Sequence, residues 1–245
     1  MAIHFILIAG RNASTVNYRN AVLESGHIPI VTDTLNLLTE SRLQQDALSP
    51  CLLSRIDLLI LPGGGDIAPD ILQDYTHQDI SNPTCFSDID RELDLVQLAY
   101  LTYFYKKQLP VIGICKGMQL INTYFGGTLL SDMPPSAKRF HAYRQYKDNY
   151  HTCQYIPLDT YTPFPNLSLL QSLYRKNRLP ATINSAHHQC VDSFGRKLAM
   201  FQHCNAICEG LIHQTHPIIG LQWHPERLFY SKGSYLKLFL SLFLD

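Results

Sequence analysis

The stretch Pro110-Val-Ile-Gly-Ile-Cys-Lys-Gly-Met-Gln-Leu-Ile-Asn122 carries the strongest local pattern in the chain. A short apolar run of strand type passes straight into a helical pattern, and Cys115 lies at the junction. Gly113 and Gly117 stand two residues to either side, which is the glycine–nucleophile–glycine spacing of a nucleophile elbow. A helix N-terminus also favours a thiolate over a thiol. The stretch therefore predicts a strand–turn–helix unit with Cys115 as nucleophile, although a cysteine ending a buried strand is often only a small core residue.

A second segment, Gly220-Leu-Gln-Trp-His-Pro-Glu226, offers a base for such a nucleophile. His224 follows an apolar run of strand type, and the carboxylate of Glu226 stands two residues on. Pro225 between them restricts the backbone, so the imidazole and the carboxylate keep a fixed relative aim. The carboxylate can hold one ring nitrogen and leave the other facing a thiol. In isolation, the same tripeptide would be read as a surface turn.

A third segment, Leu61-Pro-Gly-Gly-Gly-Asp-Ile67, is rich in glycine and also follows a buried strand pattern. Consecutive glycines allow backbone N–H groups to point into a cleft, where an oxyanion would need donors. The run lacks the Lys-Ser/Thr ending of a phosphate-binding P-loop. It is a weak signal alone, because many glycine runs are ordinary turns.

Alternating patterns indicate an α/β fold with a central, mostly parallel sheet flanked by helices. In the first half, strand patterns at 3–9, 27–31, 58–61 and 110–114 alternate with helical patterns at 16–25, 92–107 and 117–125. The second half has short, closely spaced strand patterns at 152–157, 181–184, 199–201, 210–213 and 218–223, and then a helical pattern at 235–244. These later strands predict an antiparallel extension of the same sheet. With no linker or internal repeat, we expect one domain over residues 1–245.

Composition excludes several functional classes. The 245 residues contain 20 Lys plus Arg and 20 Asp plus Glu, so the chain has no basic footprint for nucleic acid or for an anionic membrane. The apolar runs at both ends are too short to span a bilayer. Seven cysteines without close pairing predict reduced thiols in a cytoplasmic compartment.

Taken together, the three segments occur in the order and at the broad spacing of the class I glutamine amidotransferase-like fold, a flavodoxin-like α/β architecture. The resemblance covers nearly the whole chain. Further motifs are similar to the γ-glutamyl hydrolase branch, of peptidase C26 type, which includes γ-glutamyl-γ-aminobutyrate hydrolases. These motifs are Gly-Gly-Gly-Asp-Ile-Ala-Pro69, Gly126-Gly-Thr-Leu129 with Asp132, and Asn184-Ser-Ala-His-His-Gln189.

The resemblance implies a site and a reaction. Cys115 would attack the carbonyl of a γ-glutamyl amide to give a thioester, with His224 as base and proton donor and Glu226 as its orienting group. The other implied roles are an oxyanion hole at the N–H groups of Gly64 and Lys116, and substrate contacts at Gln119, Ser185, His187, His188 and Gln189. The resemblance implies no cofactor and no metal. The implied partner is a small γ-glutamyl amide, and a homodimer is left open.

Some segments depart from the pattern of that branch. The Arg-Asp pair that opens the helix before the elbow is inverted here to Asp90-Arg91, although Asp94 stands where a later acidic residue is expected. Residues 160–173 match no substrate-side loop of the branch. Catalysis is therefore better supported than substrate identity.

Histidines and cysteines between 203 and 216 raise the separate question of a zinc site. Cys204 and Cys208 are four residues apart, which is compatible with metal binding. On alternating strands, however, these side chains would not all face one point, so we expect core and hairpin packing instead.

Three functions remain open from sequence. The leading hypothesis is a stand-alone hydrolase of γ-glutamyl amides. The second is a glutaminase subunit that supplies ammonia to a separate synthetase. The third is a non-catalytic binding or regulatory homologue, which the retention of all three reactive groups disfavours.

Overall fold

The computed structural model of the chain describes residues 2–35, 53–80, 85–143, 147–156, 167–176 and 178–244. The first half of the unmatched segment 160–173, residues 160–166, lies outside these ranges. The rest of that segment lies in a helix.

Helices and strands alternate along the first half, as the sequence predicts. The helices of the described residues are α1 (Val16–Glu24), α2 (Pro69–Thr76), α3 (Arg91–Lys107), α4 (Lys116–Tyr124), α5 (Pro135–His141), α6 (Leu167–Arg175) and α7 (Tyr235–Leu244). The longer strands are β1 (Phe5–Ile8), β2 (Ile28–Val31), β3 (Leu58–Leu61), β4 (Val111–Ile114), β6 (Asn149–Thr152), β8 (Thr182–Ser185), β10 (Leu198–Cys204), β11 (Ile207–His213) and β12 (Ile218–Leu221). Two-residue strands are β5 (Leu129–Leu130), β7 (Gln154–Tyr155), β9 (Cys190–Val191), β13 (Phe229–Tyr230) and β14 (Gly233–Ser234).

One eight-stranded sheet organises the structure, in the order β2-β1-β3-β4-β12-β11-β10-β7. The first five strands in that order pair in parallel, and β11, β10 and β7 add an antiparallel extension. β4 and β12 are neighbours, with Leu221 opposite Ile114. The carboxyl ends of parallel strands meet at one edge of a sheet. The segments after β3, β4 and β12 therefore converge there, although they are far apart in sequence.

The sheet separates two hydrophobic cores because successive strand residues point to opposite faces. Ile6, Ile8, Leu58 and Ile60 face a core that includes residues of α1 and α7. The alternate residues, such as Leu7 and Leu59, face a core that includes residues of α2, α3 and α4. The central strands are apolar on both faces, as a parallel sheet covered by helices requires.

The α/β class, the mostly parallel sheet and the antiparallel extension are confirmed. Three helices had no counterpart in the sequence prediction: α2, α5 and α6. α2 and α5 each begin with a proline at the first helical turn, a position where its missing N–H costs nothing. Among the described residues, no helix combines the length and the apolar character that a membrane crossing needs.

Candidate active site

The elbow between β4 and α4 places Cys115 in a backbone conformation that side chains rarely adopt, with φ 52° and ψ −107°. The glycines on either side make the turn sterically feasible. A Cβ at Gly113 would lie 2.5 Å from Ile121 Cδ1, and a Cβ at Gly117 would lie 2.1 Å from the Leu61 carbonyl oxygen. Only glycine permits these approaches. The strained residue thus stands at the start of a helix and at the carboxyl edge of the sheet.

The segment after β12 brings an imidazole to the thiol. His224 Nδ1 lies 2.9 Å from Glu226 Oε1, and the imidazole lies close enough to Cys115 to lower the pKa of its thiol. The backbone N–H of His224 donates to Asn184 Oδ1 at 3.2 Å. Arg227 Nε lies 3.3 Å from the same Glu226 oxygen. All three reactive groups are at least nine-tenths buried, so their relative aim is held by packing.

Electrostatics favour a thiolate facing an imidazolium. Burial alone would raise the pKa of the Cys115 thiol, but the facing charge and hydrogen bond of His224 bring that pKa below its usual value. Burial would likewise lower the pKa of His224, whereas Glu226 and Cys115 raise it to about 9. Burial alone would raise the pKa of Glu226, but the charge of His224 lowers this pKa below its usual value. A thiolate is the nucleophilic form of cysteine, so these surroundings favour the reactive form of the Cys115 side chain.

Gly64 and Lys116 both line the cleft that contains Cys115. Among the described residues, no acceptor is found for the N–H groups of Gly64 and Lys116, which lie on the glycine-rich loop after β3 and at the first residue of α4. The neighbouring Gly63 N–H instead donates to the Tyr18 hydroxyl at 2.9 Å. Backbone N–H groups near a reactive side chain are the donors that a tetrahedral oxyanion requires.

The Lys116 side chain points away from solvent, toward the interior. Its Nζ lies 2.7 Å from Asp94 Oδ1 on α3, and both side chains are almost fully buried. Asp94 Oδ2 also accepts the N–H of Ala68 at 2.9 Å. The aliphatic stem of Lys116 packs beside Gly64. The pair therefore ties the elbow to the glycine-rich loop.

Removal of this lysine charge is expected to destabilise the fold. Lys116→Met should lower the free energy of unfolding by about 3–5 kcal/mol, because it leaves Asp94 buried without its counterion. Urea unfolding followed by circular dichroism measures the change. Lys138→Met provides the control: it breaks the partly exposed pair with Asp132 and should cost at most about 1 kcal/mol. A cost for Lys116→Met as small as that of the control would contradict the structural role.

A cleft of about 540 Å³ opens over Cys115. Its lining includes most of the residues that the sequence assigns to the site: Gly64, Cys115, Lys116, Gln119, His187, His188, Gln189, His224 and Glu226. Gln119 Nε2 lies 3.3 Å from both the Gln189 carbonyl and Gln222 Oε1, so its amide bridges two walls of the cleft. His188 lies at the mouth, 3.2 Å from both Asp66 and Asp132.

Ser185 does not fit its expected role as a substrate contact. Its side chain is fully buried, and its hydroxyl donates to the His141 carbonyl at 2.8 Å. It is absent from the lining of the cleft. Because Ser185 ends β8, which pairs with β6, it supports the wall behind the cleft instead.

Several residues of the site were missed by sequence reasoning. Tyr18 projects from α1 into the cleft, and Gln222 Nε2 lies 3.7 Å from Cys115 Sγ. Arg227 contacts Glu226 and also Asp148, at 2.8 Å. A signal for Gln222 and Arg227 was available, since both flank the His-Pro-Glu segment. Tyr18 had none, because it reads as one more apolar residue on a helix.

A histidine cluster lies behind the cleft wall. The ligand atoms of His141, His151 and Glu209 all lie within 4.8 Å of one another. Among the described residues, these three side chains form the group that could hold a metal ion. None of the histidines and cysteines between 203 and 216 belongs to it. His213 packs instead against Tyr105 and Phe125. Burial would raise the pKa of Glu209, but its histidine neighbours lower it to about 2, so the carboxylate is ionised.

Comparison with known proteins identifies the family of this chain. The family model described as Peptidase C26 matches residues 7–226. The chain belongs to the Peptidase C26 family. A glutamine amidotransferase-like protein of Rickettsia prowazekii is 28% identical over 262 aligned residues, which cover 92% of this chain and 86% of that protein. The γ-glutamyl-γ-aminobutyrate hydrolase of Escherichia coli K12 is 24% identical over 219 residues, which cover 85% of this chain and 76% of that enzyme. This C26 member is therefore a glutamine amidotransferase-like hydrolase of amide bonds.

Solved structures agree on the fold. A glutamine amidotransferase of Thermotoga maritima superposes on this chain with a TM-score of 0.57 at 13% identity. The match covers 92% of this chain and 77% of that structure. A protein of the GMP synthase type from Thermoplasma acidophilum gives the same TM-score at 16% identity, with 99% of this chain and 93% of that structure covered. At these identities the likeness supports the architecture alone.

Proposed function

We propose that the protein is a cysteine-dependent hydrolase of γ-glutamyl amides, with Cys115 as nucleophile, His224 as acid and base, and Glu226 as the group that orients the imidazole. The proposal rests on one observation. A cysteine at a strand–helix elbow, an imidazole held by a carboxylate and two residues with backbone N–H donors all line the same cleft. Nucleophile, base, orienting group and oxyanion donors are the four parts that acyl transfer requires.

In the first half of the reaction, the Cys115 thiolate adds to the amide carbonyl carbon and a C–S bond forms. The carbonyl oxygen becomes an oxyanion and accepts hydrogen bonds from the N–H groups of Gly64 and Lys116. The tetrahedral intermediate then collapses, and the C–N bond breaks. His224, protonated at the start, gives its proton to the departing amine, which leaves a glutamyl thioester and a neutral imidazole.

In the second half, His224 takes a proton from water as the water oxygen adds to the thioester carbonyl. The same two N–H groups stabilise the second oxyanion. Collapse breaks the C–S bond and releases glutamate and the thiolate, which again faces an imidazolium. Glu226 keeps Nδ1 paired throughout, so the ring does not rotate away between the two steps.

The cleft also suits a small polar substrate. Its volume falls within the range of about 300–1,000 Å³ that is usual for small-molecule sites. The lining mixes polar and apolar surface and includes the carboxylate of Asp66, the imidazole of His188 and the guanidinium of Arg227. A glutamyl group carries both an ammonium and a carboxylate, and side chains of both signs are present to meet them. The similarity to a γ-glutamyl-γ-aminobutyrate hydrolase supports the same substrate class.

A substrate panel tests the proposal. Purified protein is incubated with glutamine, γ-glutamyl-γ-aminobutyrate, γ-glutamyl dipeptides and a γ-glutamyl anilide, and free glutamate is quantified. We expect turnover of at least one γ-glutamyl amide, and none of the matching α-glutamyl amide. A folded protein that releases glutamate from none of these compounds would refute the proposal.

A glutaminase that supplies ammonia to a synthetase is the second candidate. It is favoured by the glutamine amidotransferase-like relatives, and its chemistry at Cys115 would be the same with ammonia as the leaving amine. The panel separates the two. Preference for an amide with a large amine indicates the stand-alone hydrolase, whereas turnover of glutamine alone indicates the glutaminase.

The ion pair predicts the pH profile. The Cys115 thiolate is lost as pH falls through its lowered pKa, and the His224 imidazolium is lost as pH rises through about 9. We therefore expect a bell-shaped profile of kcat/KM with its alkaline limb near 9, since kcat/KM reports groups of the free enzyme. Its acid limb should lie below about 8.5, the ordinary pKa of a cysteine. A profile that only rises, with the midpoint of an ordinary thiol, would contradict the ion pair.

A further inference from the structure

Three histidine rings converge on one buried carboxylate oxygen, and one of them, His187, also lines the cleft. Glu209 Oε1 lies 3.1 Å from His141 Nδ1, 3.5 Å from His151 Nε2 and 3.7 Å from His187 Nε2. Glu209 is fully buried, and none of the three rings is more than about a tenth exposed. Four separate segments supply these groups: the end of α5, the strand β6, the loop after β8, and the strand β11.

None of these contacts has the geometry of a hydrogen bond. Within the described residues, both oxygens of Glu209 and the facing nitrogens of all three histidines lack hydrogen-bond partners. Buried polar atoms without partners are rare and costly in folded proteins, and four side chains facing one another in this way need a common explanation. A proton on one ring would satisfy one contact, whereas a cation between the rings would satisfy the whole set.

The outer sides of two rings are arranged as in metal-binding histidines. His187 Nδ1 lies 2.8 Å from the Gln189 carbonyl, and His151 Nδ1 lies 3.2 Å from the Thr152 carbonyl. A carbonyl only accepts, so each Nδ1 carries a hydrogen, and in the neutral ring each Nε2 presents a lone pair to the centre of the cluster. A metal-ligating histidine usually donates its second N–H to a carbonyl or carboxylate in this way.

The spacing suits a tetrahedral ion. Zinc–nitrogen and zinc–oxygen bonds of about 2.0–2.1 Å place neighbouring ligand atoms about 3.3 Å apart. The three distances to Glu209 Oε1 bracket this value. The ligand atoms of His141, His151 and Glu209 lie within 4.8 Å of one another, so any pair wider than the tetrahedral spacing would draw together around the ion. His187 does not belong to that group, and its Nε2 makes the longest of the three contacts, so it would have to move closer to the other three side chains to serve as a fourth ligand. A second cavity, of about 510 Å³, is lined in part by His141.

We propose that His141, His151, His187 and Glu209 bind one divalent transition-metal ion of the zinc class. Four protein ligands make the site structural, because no position remains open for substrate. The ion would fasten the wall that contributes Ala142, Tyr143 and His187 to the cleft. This proposal stands apart from the acyl-transfer chemistry, which needs no metal.

Metal binding can be measured without reference to activity. The protein is stripped with a chelator, and Zn²⁺ is titrated by calorimetry against a competing chelator, with bound metal counted by mass spectrometry. We expect one ion per chain. His151→Gln and Glu209→Gln should weaken binding by about 100-fold or more, since even the loss of an outer-sphere partner costs about 10–100-fold. The matched control is His203→Gln, in the adjoining hairpin, which should bind as wild type.

The Cys115→Ala variant lacks the proposed nucleophile and therefore has no turnover. Metal binding measured in this variant tests the metal site independently of the proposed hydrolase activity. We expect this variant to bind the ion as wild type does. The spectrum of the Co²⁺-loaded wild type adds a readout that needs no ligand variant to fold: tetrahedral nitrogen and oxygen ligation gives visible d–d bands without a thiolate charge-transfer band. The proposal is overturned if folded wild type takes up no metal, or if uptake disappears with Cys115→Ala and the cobalt spectrum carries a thiolate band.

Discussion

Cys115→Ser is expected to lower kcat by at least about 10⁴-fold while leaving the fold intact, as removal of a nucleophile does in other acyl-transfer enzymes. Serine nearly matches cysteine in size, and the elbow backbone is set by Gly113 and Gly117 and not by the sulfur. The hydroxyl, however, does not ionise beside His224 as the thiol does. Glutamate release from the best substrate of the panel measures the loss, and circular dichroism with thermal unfolding verifies the fold.

Cys204→Ser is the matched control. Cys204 is a free, partly exposed thiol at the end of β10 and does not line the cleft. Burial raises its pKa, which makes it a poor nucleophile. Its replacement should leave kcat within about twofold of wild type, in keeping with substitutions away from the site. Full activity in Cys115→Ser, or an equal loss in both variants, would remove Cys115 from its proposed role.

Glu226→Gln is expected to lower kcat by about 10²–10⁴-fold, the upper figure being the effect of replacing the carboxylate that orients a catalytic histidine. The glutamine amide can donate a hydrogen to Nδ1 of His224, which places the ring proton on the nitrogen that should face the thiol. The imidazolium also loses its buried counterion. The thiolate is then no longer stabilised, so the pH at which iodoacetamide alkylates Cys115 should move upward together with the loss of kcat.

Two readouts distinguish orientation from a general structural effect. A variant that only loosened the fold would lower kcat without moving the alkylation profile of Cys115. Glu92→Gln is the control, since Glu92 lies 3.2 Å from Arg11 on another part of the surface and does not line the cleft. An unchanged alkylation profile in Glu226→Gln would show that Glu226 does not set the charge state of the pair.

The sheet was predictable because its strands are apolar on both faces and are punctuated by glycine and proline. Val111–Ile114 followed by Cys115 and Gly117 has a local pattern typical of a strand, a sharp turn and a helix. α2 was missed because its eight residues mix polar and apolar side chains, although Pro69 marks its start. Short helices of this kind depend on packing against neighbours more than on their own propensity.

Short motifs located Cys115, His224 and Glu226, which the fold brings together in one cleft, but the surroundings of these side chains were not predictable. Lys116 could be placed beside the nucleophile, yet its direction depends on Asp94, which lies 22 residues earlier on another helix. Ser185 stands in a motif that the resemblance links to substrate, and β-pairing turns it toward the His141 carbonyl instead. Sequence spacing locates a residue along a strand, whereas tertiary packing decides what its side chain meets.

The histidine cluster shows the same limit more sharply. His141 and His151 are ten positions apart on different elements, and Glu209 reaches them through the antiparallel extension of the sheet. No local spacing rule joins residues across such distances. The cysteines and histidines between 203 and 216, by contrast, lie close in sequence, but the hairpin of β10 and β11 does not gather them into a ligand set.

Trapping of the acyl-enzyme tests the central claim most directly. The protein is mixed with a γ-glutamyl anilide, quenched in acid within the first turnovers, digested and examined by mass spectrometry. The proposed mechanism predicts one glutamyl group attached to the peptide that contains Cys115, released by hydroxylamine as a thioester would be, and absent from Cys115→Ser. Turnover of the anilide with no glutamyl adduct under conditions of burst kinetics, or with the adduct on another residue, would contradict it.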